Sequence, residues 1–222
     1  MDGNGRWAQK RALPRSIGHR FGVESIREIV RESSKIGVEV LTLYAFSTEN
    51  WKRPQDEVGV LMKLLVDYLR KEVHELDESG VKIMVTGDWQ GFSQVVQDAI
   101  VDAMEQTKQN TGLVLNLALN YGGRGEIVRA AAQLAREAVE GTLCVEDISQ
   151  QSFAEKLFTK ALPDPDLIIR TSGEMRLSNF MLYQAAYAEL YFTDILWPDF
   201  DRKAYFTAIR DYQSRGRRFG GL

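Results

Sequence analysis

Two stretches of the sequence carry residues suited to binding phosphate groups. One follows an apolar segment ending at Ile169 and contains Arg170, Arg176 and Ser178 around Gly173. Forked guanidinium groups and a hydroxyl match phosphate oxygens, and a glycine lets the backbone approach them closely. The alternative is a solvated surface loop with incidental arginines. The second stretch makes that alternative the weaker one.

That second stretch is a basic cluster at the start of the chain. Gly3 and Gly5 flank Asn4, so the backbone can approach an anion and point several amides at it. The basic side chains that follow are Arg6, Lys10, Arg11, Arg15, His19 and Arg20. Neither the dinucleotide pattern G-x-G-x-x-G nor the P-loop pattern occurs in the sequence, which disfavours a nucleotide as the anionic partner.

Two carboxylates, Asp2 and Glu189, could bring a magnesium ion to a bound diphosphate. Mg²⁺ prefers oxygen ligands and is commonly held by one or two carboxylates together with substrate phosphates. Such a site has no diagnostic spacing, so these residues alone leave it open. His19 could touch phosphate from within the basic cluster. His74 lies among acidic residues in a helical segment, which indicates a solvated side chain.

The composition indicates one soluble domain spanning residues 1–222. Hydrophobic residues make up 44% of the chain, enough for one sizeable core. The 28 basic and 31 acidic residues nearly cancel, which argues against a nucleic-acid-binding protein. Cys144 is the single cysteine, so no internal disulfide forms. No apolar run approaches the roughly 20 residues that span a bilayer and no secretory signal is present, so we expect a cytoplasmic protein.

The elements that must position these residues alternate between two patterns. Short β-branched runs and longer segments of helical period predict an α/β domain built on a largely parallel sheet. The predicted strands cover residues 38–46, 81–87, 113–120, 166–171 and 189–192. The predicted helices cover residues 23–35, 56–79, 93–109, 125–140, 149–160 and 201–213. Open α/β sheets bind ligands beyond the carboxyl ends of their strands, where the polar and glycine-rich segments of this chain lie.

The predicted helix over residues 56–79 carries an apolar stripe. Its members are Val58, Leu61, Leu65, Leu69 and Val73. Such a stripe is usually core packing. Part of the face could instead line an apolar tunnel for a greasy substrate, and both interpretations stay open at this point.

Several segments, taken together, resemble the cis-prenyltransferase family. They are MDGNGRWA at 1–8, GHR at 18–20, YAFSTENWKRP at 44–54, NYGGR at 120–124, DLIIRTSGEMRLSNF at 166–180, AYAELYF at 186–192 and RRFGG at 217–221. The segments occur in family order over nearly the whole chain and are most similar to bacterial undecaprenyl diphosphate synthases. The resemblance implies a Mg²⁺-dependent enzyme that condenses isopentenyl diphosphate onto an allylic diphosphate. Farnesyl diphosphate would be the starter and undecaprenyl diphosphate, a cell-wall lipid carrier, the product.

The resemblance also assigns site residues, position by position. Asp2 matches the family's essential aspartate at the magnesium and diphosphate centre, and Glu189 matches its metal-binding glutamate. The loop that holds the allylic diphosphate matches Gly3, Asn4, Gly5, Arg6, Trp7, Arg15 and His19. The isopentenyl diphosphate pocket matches Arg170, Arg176, Leu177 and Ser178. The flexible active-site loop matches Ser47, Thr48, Glu49, Trp51 and Arg53.

Asn50 corresponds to the residue that the family assigns as proton acceptor. A neutral amide is a poor base. We therefore expect Asn50 to position the reacting groups or to relay the proton, while a diphosphate oxygen, water or Asp2 accepts it.

The family implies a single α/β domain with a six-stranded parallel sheet flanked by helices, a hydrophobic tunnel, and a homodimer. In that dimer, Arg218 and Gly220 would reach the partner's site. The sequence departs from the family pattern in two places. The family's first apolar strand precedes the MDGN motif, where these residues begin, and Tyr183 replaces a tryptophan common in bacterial members.

Parts of the sequence would also suit two other functions. A non-catalytic partner subunit of a heteromeric prenyltransferase would keep the fold without the chemistry, but Asp2, Asn50, Arg170, Arg176 and Glu189 are all present. A nucleic-acid-binding module would use the basic cluster, but the net charge is -3 and no aromatic stacking platform stands out. We expect no nucleic-acid partner and at most a peripheral membrane contact.

Overall fold

A computed structural model describes residues 1–216 of the chain, so the expectations for Arg218 and Gly220 lie outside the described residues. All five predicted strands are confirmed. They are β1 (Val40–Ser47), β2 (Lys82–Thr86), β3 (Val114–Tyr121), β4 (Leu167–Arg170) and β5 (Glu189–Phe192). The β-branched and leucine-rich runs form these strands because their side chains pack well on a pleated, buried surface.

The helices agree with the sequence prediction except at three places. They are α1 (Asn4–Gln9), α2 (Arg15–Lys35), α3 (Gln55–Glu78), α4 (Gln94–Gln106), α5 (Gly123–Val139), α6 (Gln150–Ala154) and α7 (Arg202–Ser214). Residues 4–9, read as a loop, form α1. Residues 15–22 extend α2 beyond its predicted start at 23. Helix α6 ends early, since the Phe158 amide donates to the buried Glu126 carboxylate at 2.8 Å instead of continuing the helix.

The strands form two parallel sheets within residues 1–216. One has the order β1-β3-β2 and the other pairs β4 with β5. Met1 and Asp2 lie between the sheets: the Met1 nitrogen is 3.5 Å from the Tyr44 carbonyl of β1. The Asp2 carbonyl accepts from the Ser172 hydroxyl, just after β4, at 2.6 Å. The sixth strand implied by the family is not among the described residues. The two contacts hold the Met1–Asp2 segment between β1 and the residues that follow β4.

The core is built around β3, the middle strand of the larger sheet. Leu115, Leu117 and Leu119 on it are at most 3% exposed. Asn116 is also buried and donates to the hydroxyls of Thr42 and Thr86 on the two neighbouring strands. Buried residues of α2, α3 and α4 belong to the same core cluster as those of the three strands. The predicted α/β class is therefore confirmed.

A close contact between α1 and α2 depends on glycine. A Cβ at Gly18 would lie 2.0 Å from the Asn4 carbonyl oxygen, whereas a Cβ at Gly59, in α3, would meet nothing within 4 Å. We expect Gly18→Ala to destabilise the fold by about 1–3 kcal/mol, because α1 must move away. Gly59→Ala, the matched control, should be neutral or stabilising by up to about 1 kcal/mol, because alanine favours the helix. Denaturant unfolding of both variants measures this, and equal stabilities would contradict the contact.

Candidate active site

A cavity of about 840 Å³ opens at the carboxyl ends of β1 and β4. One part of its wall is apolar and includes Val23, Ile26, Leu61, Leu64 and Leu65. The other part carries most of the predicted site residues. These are Asp2, Gly3, Asn4, Gly5, Arg6, Arg15, His19, Ser47, Glu49, Asn50, Arg53, Arg170, Arg176, Leu177 and Ser178. Polar residues from four separate segments of the chain thus meet beside a greasy surface.

The α3 stripe is divided between the core and the cavity wall, and the tunnel for a hydrophobic substrate stays a prediction. Val58 and Leu69 are buried in the core. Leu61 and Leu65 are partly buried and line the cavity. The same helix face therefore packs the protein and shapes the apolar part of the site.

Asp2 lies at the meeting point of the two basic stretches. Its Oδ1 accepts from the Gly3 amide at 2.8 Å, and its Oδ2 accepts from Arg170 Nη2 at 3.2 Å. Arg6 Nη2 is 3.5 Å from Oδ1. Partial burial opposes ionisation, but the hydrogen bond from Arg170 and the charge of Arg6 outweigh it, so the pKa of Asp2 lies below its usual value. Asp2 is therefore a carboxylate at neutral pH.

The loop after β4 is wound tightly around the Arg170 guanidinium. Arg170 Nη1 donates to the Ser178 hydroxyl at 2.9 Å and also to the Arg176 carbonyl. Ser172, Ser178 and Asn179 have positive φ angles of 78°, 46° and 64°. Non-glycine residues rarely adopt this conformation, and such strain concentrates at functional sites. The loop that the sequence predicts to bind phosphate is therefore a constrained structure, in which Arg170 and Ser178 are held together.

A carboxylate that the sequence analysis did not assign joins this loop to the basic cluster. Glu174 Oε1 is 3.3 Å from Arg6 Nη1, and its Oε2 is 2.5 Å from Arg176 Nη1. Glu174 stands inside the SGEMR segment, but a single glutamate in a loop gives no local signal of its partners. Its role is visible only when residues 6 and 176 are brought together by the fold.

A second unassigned carboxylate, Glu57, gathers the cations at the other side of the cavity. Its Oε2 accepts from Arg15 Nη1 at 3.1 Å and its Oε1 from Arg53 Nη1 at 2.8 Å. His19 Nε2 is 3.6 Å from Oε1. Burial and the charge of Arg53 lower the pKa of His19 despite the nearby carboxylate. His19 is therefore a neutral imidazole at neutral pH. The group around Glu57, called the cation cluster below, consists of the charged Arg15 and Arg53 together with His19.

The start of α1 lies between the cation cluster and the loop after β4, which carries Arg170 and Arg176. Gly3 has φ of +100°, and a Cβ there would lie 2.2 Å from the Ser172 hydroxyl, so only glycine fits beside the loop after β4. A Cβ at Gly5 would lie 3.5 Å from Arg15 Nε. Residues 3–5 therefore contact the phosphate-binding loop on one side and the cation cluster on the other.

The segment after β1 forms a 3-10 turn over Thr48–Lys52. Asn50 Oδ1 accepts from the Ser47 amide at 3.0 Å, which closes the turn. This bond uses one of the two lone pairs of the amide oxygen and fixes the side chain. The positioning role of Asn50 stays a prediction. Trp51 Nε1 donates to Asn120 Oδ1 at 2.8 Å, which fastens the turn to the end of β3.

Asn179 connects three loops of the site, although the sequence analysis gave it no role. Its Oδ1 accepts from the Arg124 amide at 2.8 Å, and its Nδ2 donates to Glu49 Oε1 at 2.8 Å. Its carbonyl accepts from the Gly123 amide at 2.7 Å. Asparagine and serine both favour turns, and asparagine tolerates the left-handed conformation. The Ser178-Asn179 pair is therefore a sequence signal that could have marked this residue.

Four predicted site residues do not line the cavity: Trp7, Thr48, Trp51 and Glu189. Trp7 is buried, donating to Asp199 Oδ1 at 2.6 Å. Strand pairing places Glu189 beside Leu167, three residues from Arg170, which is about 10 Å along a strand. The Glu189 carboxylate accepts from Arg215 Nη1 at 2.8 Å. The structure thus brings Asp2 to the arginines but leaves Glu189 in a separate ion pair.

The residues present suit a metal held partly by substrate. Within residues 1–216, no group of three or more acidic, histidine or cysteine side chains could hold a metal ion. Asp2 offers an ionised carboxylate at the cavity wall, the hard oxygen donor that Mg²⁺ uses together with phosphate oxygens. Asp2 therefore fits such a site by its position at the cavity wall, although its oxygens already accept from Gly3 and Arg170. Glu189 is paired with Arg215 away from the cavity lining.

Comparisons with known proteins agree with this geometry. A family model described as "Putative undecaprenyl diphosphate synthase" matches residues 1–220. An isoprenyl transferase of Clostridium perfringens is 55% identical over all 222 residues, which cover 88% of that protein. One of Bacillus subtilis is 52% identical, with 100% of this chain and 85% of that protein covered.

Solved structures give the same result. Lavandulyl diphosphate synthase from Lavandula x intermedia, in complex with dimethylallyl diphosphate, superposes with a TM-score of 0.97 at 37% identity. The match covers 100% of this chain and 95% of that one. A probable undecaprenyl diphosphate synthase from Campylobacter jejuni gives a TM-score of 0.80 at 32% identity, covering 91% and 93%. Sequence, fold and cavity thus lead to one conclusion: the chain belongs to the undecaprenyl diphosphate synthase family, the prenyltransferases of cis-prenyl chain elongation.

Proposed function

We propose that the protein condenses isopentenyl diphosphate units onto farnesyl diphosphate and releases undecaprenyl diphosphate, the lipid carrier for cell-wall synthesis. The observation that carries the proposal is the placement of two cation groups in one cavity, with Asp2 between them and an apolar wall beyond. The lavender synthase of the same fold holds dimethylallyl diphosphate, itself an allylic diphosphate. This supports an allylic diphosphate as one substrate.

Each cation group binds one diphosphate in this proposal. Arg170, Arg176 and Ser178 hold isopentenyl diphosphate through charge-assisted hydrogen bonds, which are about twice as strong as neutral ones. The allylic diphosphate lies against residues 3–5 and the cation cluster Arg15, His19 and Arg53, with its hydrocarbon tail along Leu61 and Leu65. Binding both anions side by side turns a bimolecular step into a positioned one.

The reaction then exchanges one bond for another. The double bond of isopentenyl diphosphate attacks the allylic C1 carbon as the bond from C1 to the diphosphate oxygen breaks. A proton leaves C2 of the former isopentenyl unit, and a cis alkene forms. Guanidinium groups stabilise the charge that develops on the departing diphosphate. Asn50 positions the reacting groups, while a diphosphate oxygen, water or Asp2 accepts the proton.

Asp2 is the residue we propose to hold a Mg²⁺ ion, together with oxygens of the bound diphosphates. A bound ion of this kind neutralises diphosphate charge and so makes it a better leaving group. Glu189 stays a prediction as a second ligand. Asp2 itself keeps Arg170 oriented, because its Oδ2 accepts from Arg170 Nη2 at 3.2 Å.

We also propose a homodimer. Tyr187 lies just before β5 and is 75% exposed, and Leu190 lies on β5 and is 37% exposed. Apolar side chains at the edge of a sheet favour burial against another chain. The reach of Arg218 and Gly220 into the partner's site stays a prediction.

No helix within residues 1–216 has the length and apolar character needed to cross a membrane. The cytoplasmic location also stays a prediction.

The test is product formation by the purified full chain. Incubation with farnesyl diphosphate, radiolabelled isopentenyl diphosphate and Mg²⁺ should give label in the organic phase, with undecaprenyl diphosphate identified against chain-length standards. A chelator should abolish the reaction and added Mg²⁺ should restore it. Absence of any extractable product, with the protein folded and both substrates intact, would overturn the proposal and favour a non-catalytic partner subunit.

A further inference from the structure

One carboxylate in the cavity wall is shared by two guanidinium groups and an imidazole. Glu57 contacts Arg15 at 3.1 Å, Arg53 at 2.8 Å and His19 at 3.6 Å, and its side chain is only 11% exposed. Despite its burial, the hydrogen bonds from Arg15 and Arg53 and their charges lower the pKa of Glu57. The carboxylate is therefore ionised and fully engaged.

Glu57 and its three partners come from three parts of the chain. Arg15 and His19 belong to α2, Arg53 follows the 3-10 turn after β1, and Glu57 is in the first turn of α3. Arg15 lies 42 residues from Glu57 in sequence. A single side chain thus holds together the parts of the cation cluster that no local sequence pattern would join.

The donors held by Glu57 are those that an incoming diphosphate needs. Without a central anion, the two guanidinium groups would repel each other and spread into solvent. A diphosphate in the cluster would meet the same donors but also the negative charge of Glu57. Ligand and carboxylate therefore compete for the cations, while the carboxylate keeps those cations in place beforehand.

We propose that Glu57 is a positioning residue, an internal counter-anion that preorganises Arg15, His19 and Arg53 in the empty site and yields part of its contacts to the allylic diphosphate. The proposal rests on the proposed function for the identity of that ligand. It assigns to Glu57 two opposing effects. The carboxylate weakens the binding of an anion and strengthens the productive geometry of the bound one.

A different explanation is that Glu57 only stabilises the start of α3. Acidic residues in the first turn of a helix interact favourably with its dipole. Asp56 shares that turn, is exposed and does not line the cavity. Asp56→Asn therefore removes the same charge from the same helix turn and is the matched control.

The test measures anion affinity and turnover separately in Glu57→Gln. Inorganic pyrophosphate, titrated calorimetrically into the full chain without added metal, should bind roughly fivefold more tightly, as expected when one like charge about 4 Å away is removed. The kcat for product formation should fall at least about tenfold, because the arginines lose their common anchor. Glu57→Asp should return the pyrophosphate affinity to near the parent value, since it restores the charge. Asp56→Asn should leave both quantities unchanged.

The outcomes separate this inference from the proposed function. Unchanged or weaker pyrophosphate binding in folded Glu57→Gln would overturn the role of Glu57, even with the enzyme active. Changes of equal size in Asp56→Asn would overturn it too, in favour of the helix dipole. Failure of the parent protein to bind pyrophosphate would instead count against the proposed function and would also remove the ligand on which this inference rests. Melting temperatures establish that each variant is folded.

Discussion

Asp2→Ala is expected to lower kcat by about 10³-fold while leaving the fold intact. Loss of one preorganised electrostatic group at a reaction centre has effects of this size. Asp2 is the proposed ligand for Mg²⁺, and its Oδ2 also orients Arg170 at 3.2 Å. The Asp2 side chain is 41% exposed, so the cost in folding free energy should stay below about 1 kcal/mol.

Steady-state kinetics with both substrates and a thermal melt check this prediction together. Asp102→Ala removes an exposed carboxylate on α4, remote from the cavity lining, and should have no effect on kcat. Asp2→Asn should resemble Asp2→Ala, because the amide keeps the shape without the charge. A kcat within threefold of the parent in either Asp2 variant would remove Asp2 from the reaction centre.

The second large effect is expected at the isopentenyl diphosphate pocket. Hydrogen bonds to charged groups contribute about 1.5–3 kcal/mol each, so Arg170→Ala and Arg176→Ala should raise KM for isopentenyl diphosphate by roughly 10–100-fold. The structure separates the two variants. Arg170 is 15% exposed and bonds to Asp2 and Ser178. Arg176 is 63% exposed, with its ion pair to Glu174.

Arg170→Ala should therefore also lower kcat, whereas Arg176→Ala should act mainly on KM. Arg170→Lys should recover little, because an ammonium group does not reproduce the fork that spans Asp2 and Ser178. Arg210→Ala, on the exposed face of α7, is the control of equal charge. Initial rates at varied isopentenyl diphosphate and saturating farnesyl diphosphate supply the constants. An unchanged KM in both variants would exclude these arginines from the pocket.

The sequence predicts the parts of this site that are contiguous in the chain. The loop after β4 is predicted because Arg170, Arg176 and Ser178 lie within nine residues of one another in the sequence. The strands follow from β-branched and leucine-rich runs that need burial on both faces. Helix α1 is missed because six residues next to two glycines give no helical period, and its stability comes from packing on α2.

The missed site residues share a physical reason. Glu57 looks like one more charge at the start of a helix, and Glu174 looks like a solvated loop glutamate. Their meaning lies in partners that are distant in sequence: Arg15 for Glu57, and Arg6 for Glu174. Pairings over such separations are set by how the elements pack, which local spacing does not encode. The metal site is hard to predict for a similar reason. A metal ion held by one carboxylate and by substrate oxygens has no characteristic spacing of ligands in the sequence.

The shared face of α3 couples changes in the shape of the cavity to the stability of the fold. Leu61 and Leu65 shape the cavity on the same stripe whose neighbours Val58 and Leu69 are buried in the core. Enlarging the cavity by truncating either leucine would also remove packing from that helix. Because both side chains are only partly buried, the cost should lie below the about 2–5 kcal/mol of a fully buried leucine. During evolution, descendants with altered polymer size should therefore carry compensating substitutions elsewhere on this helix.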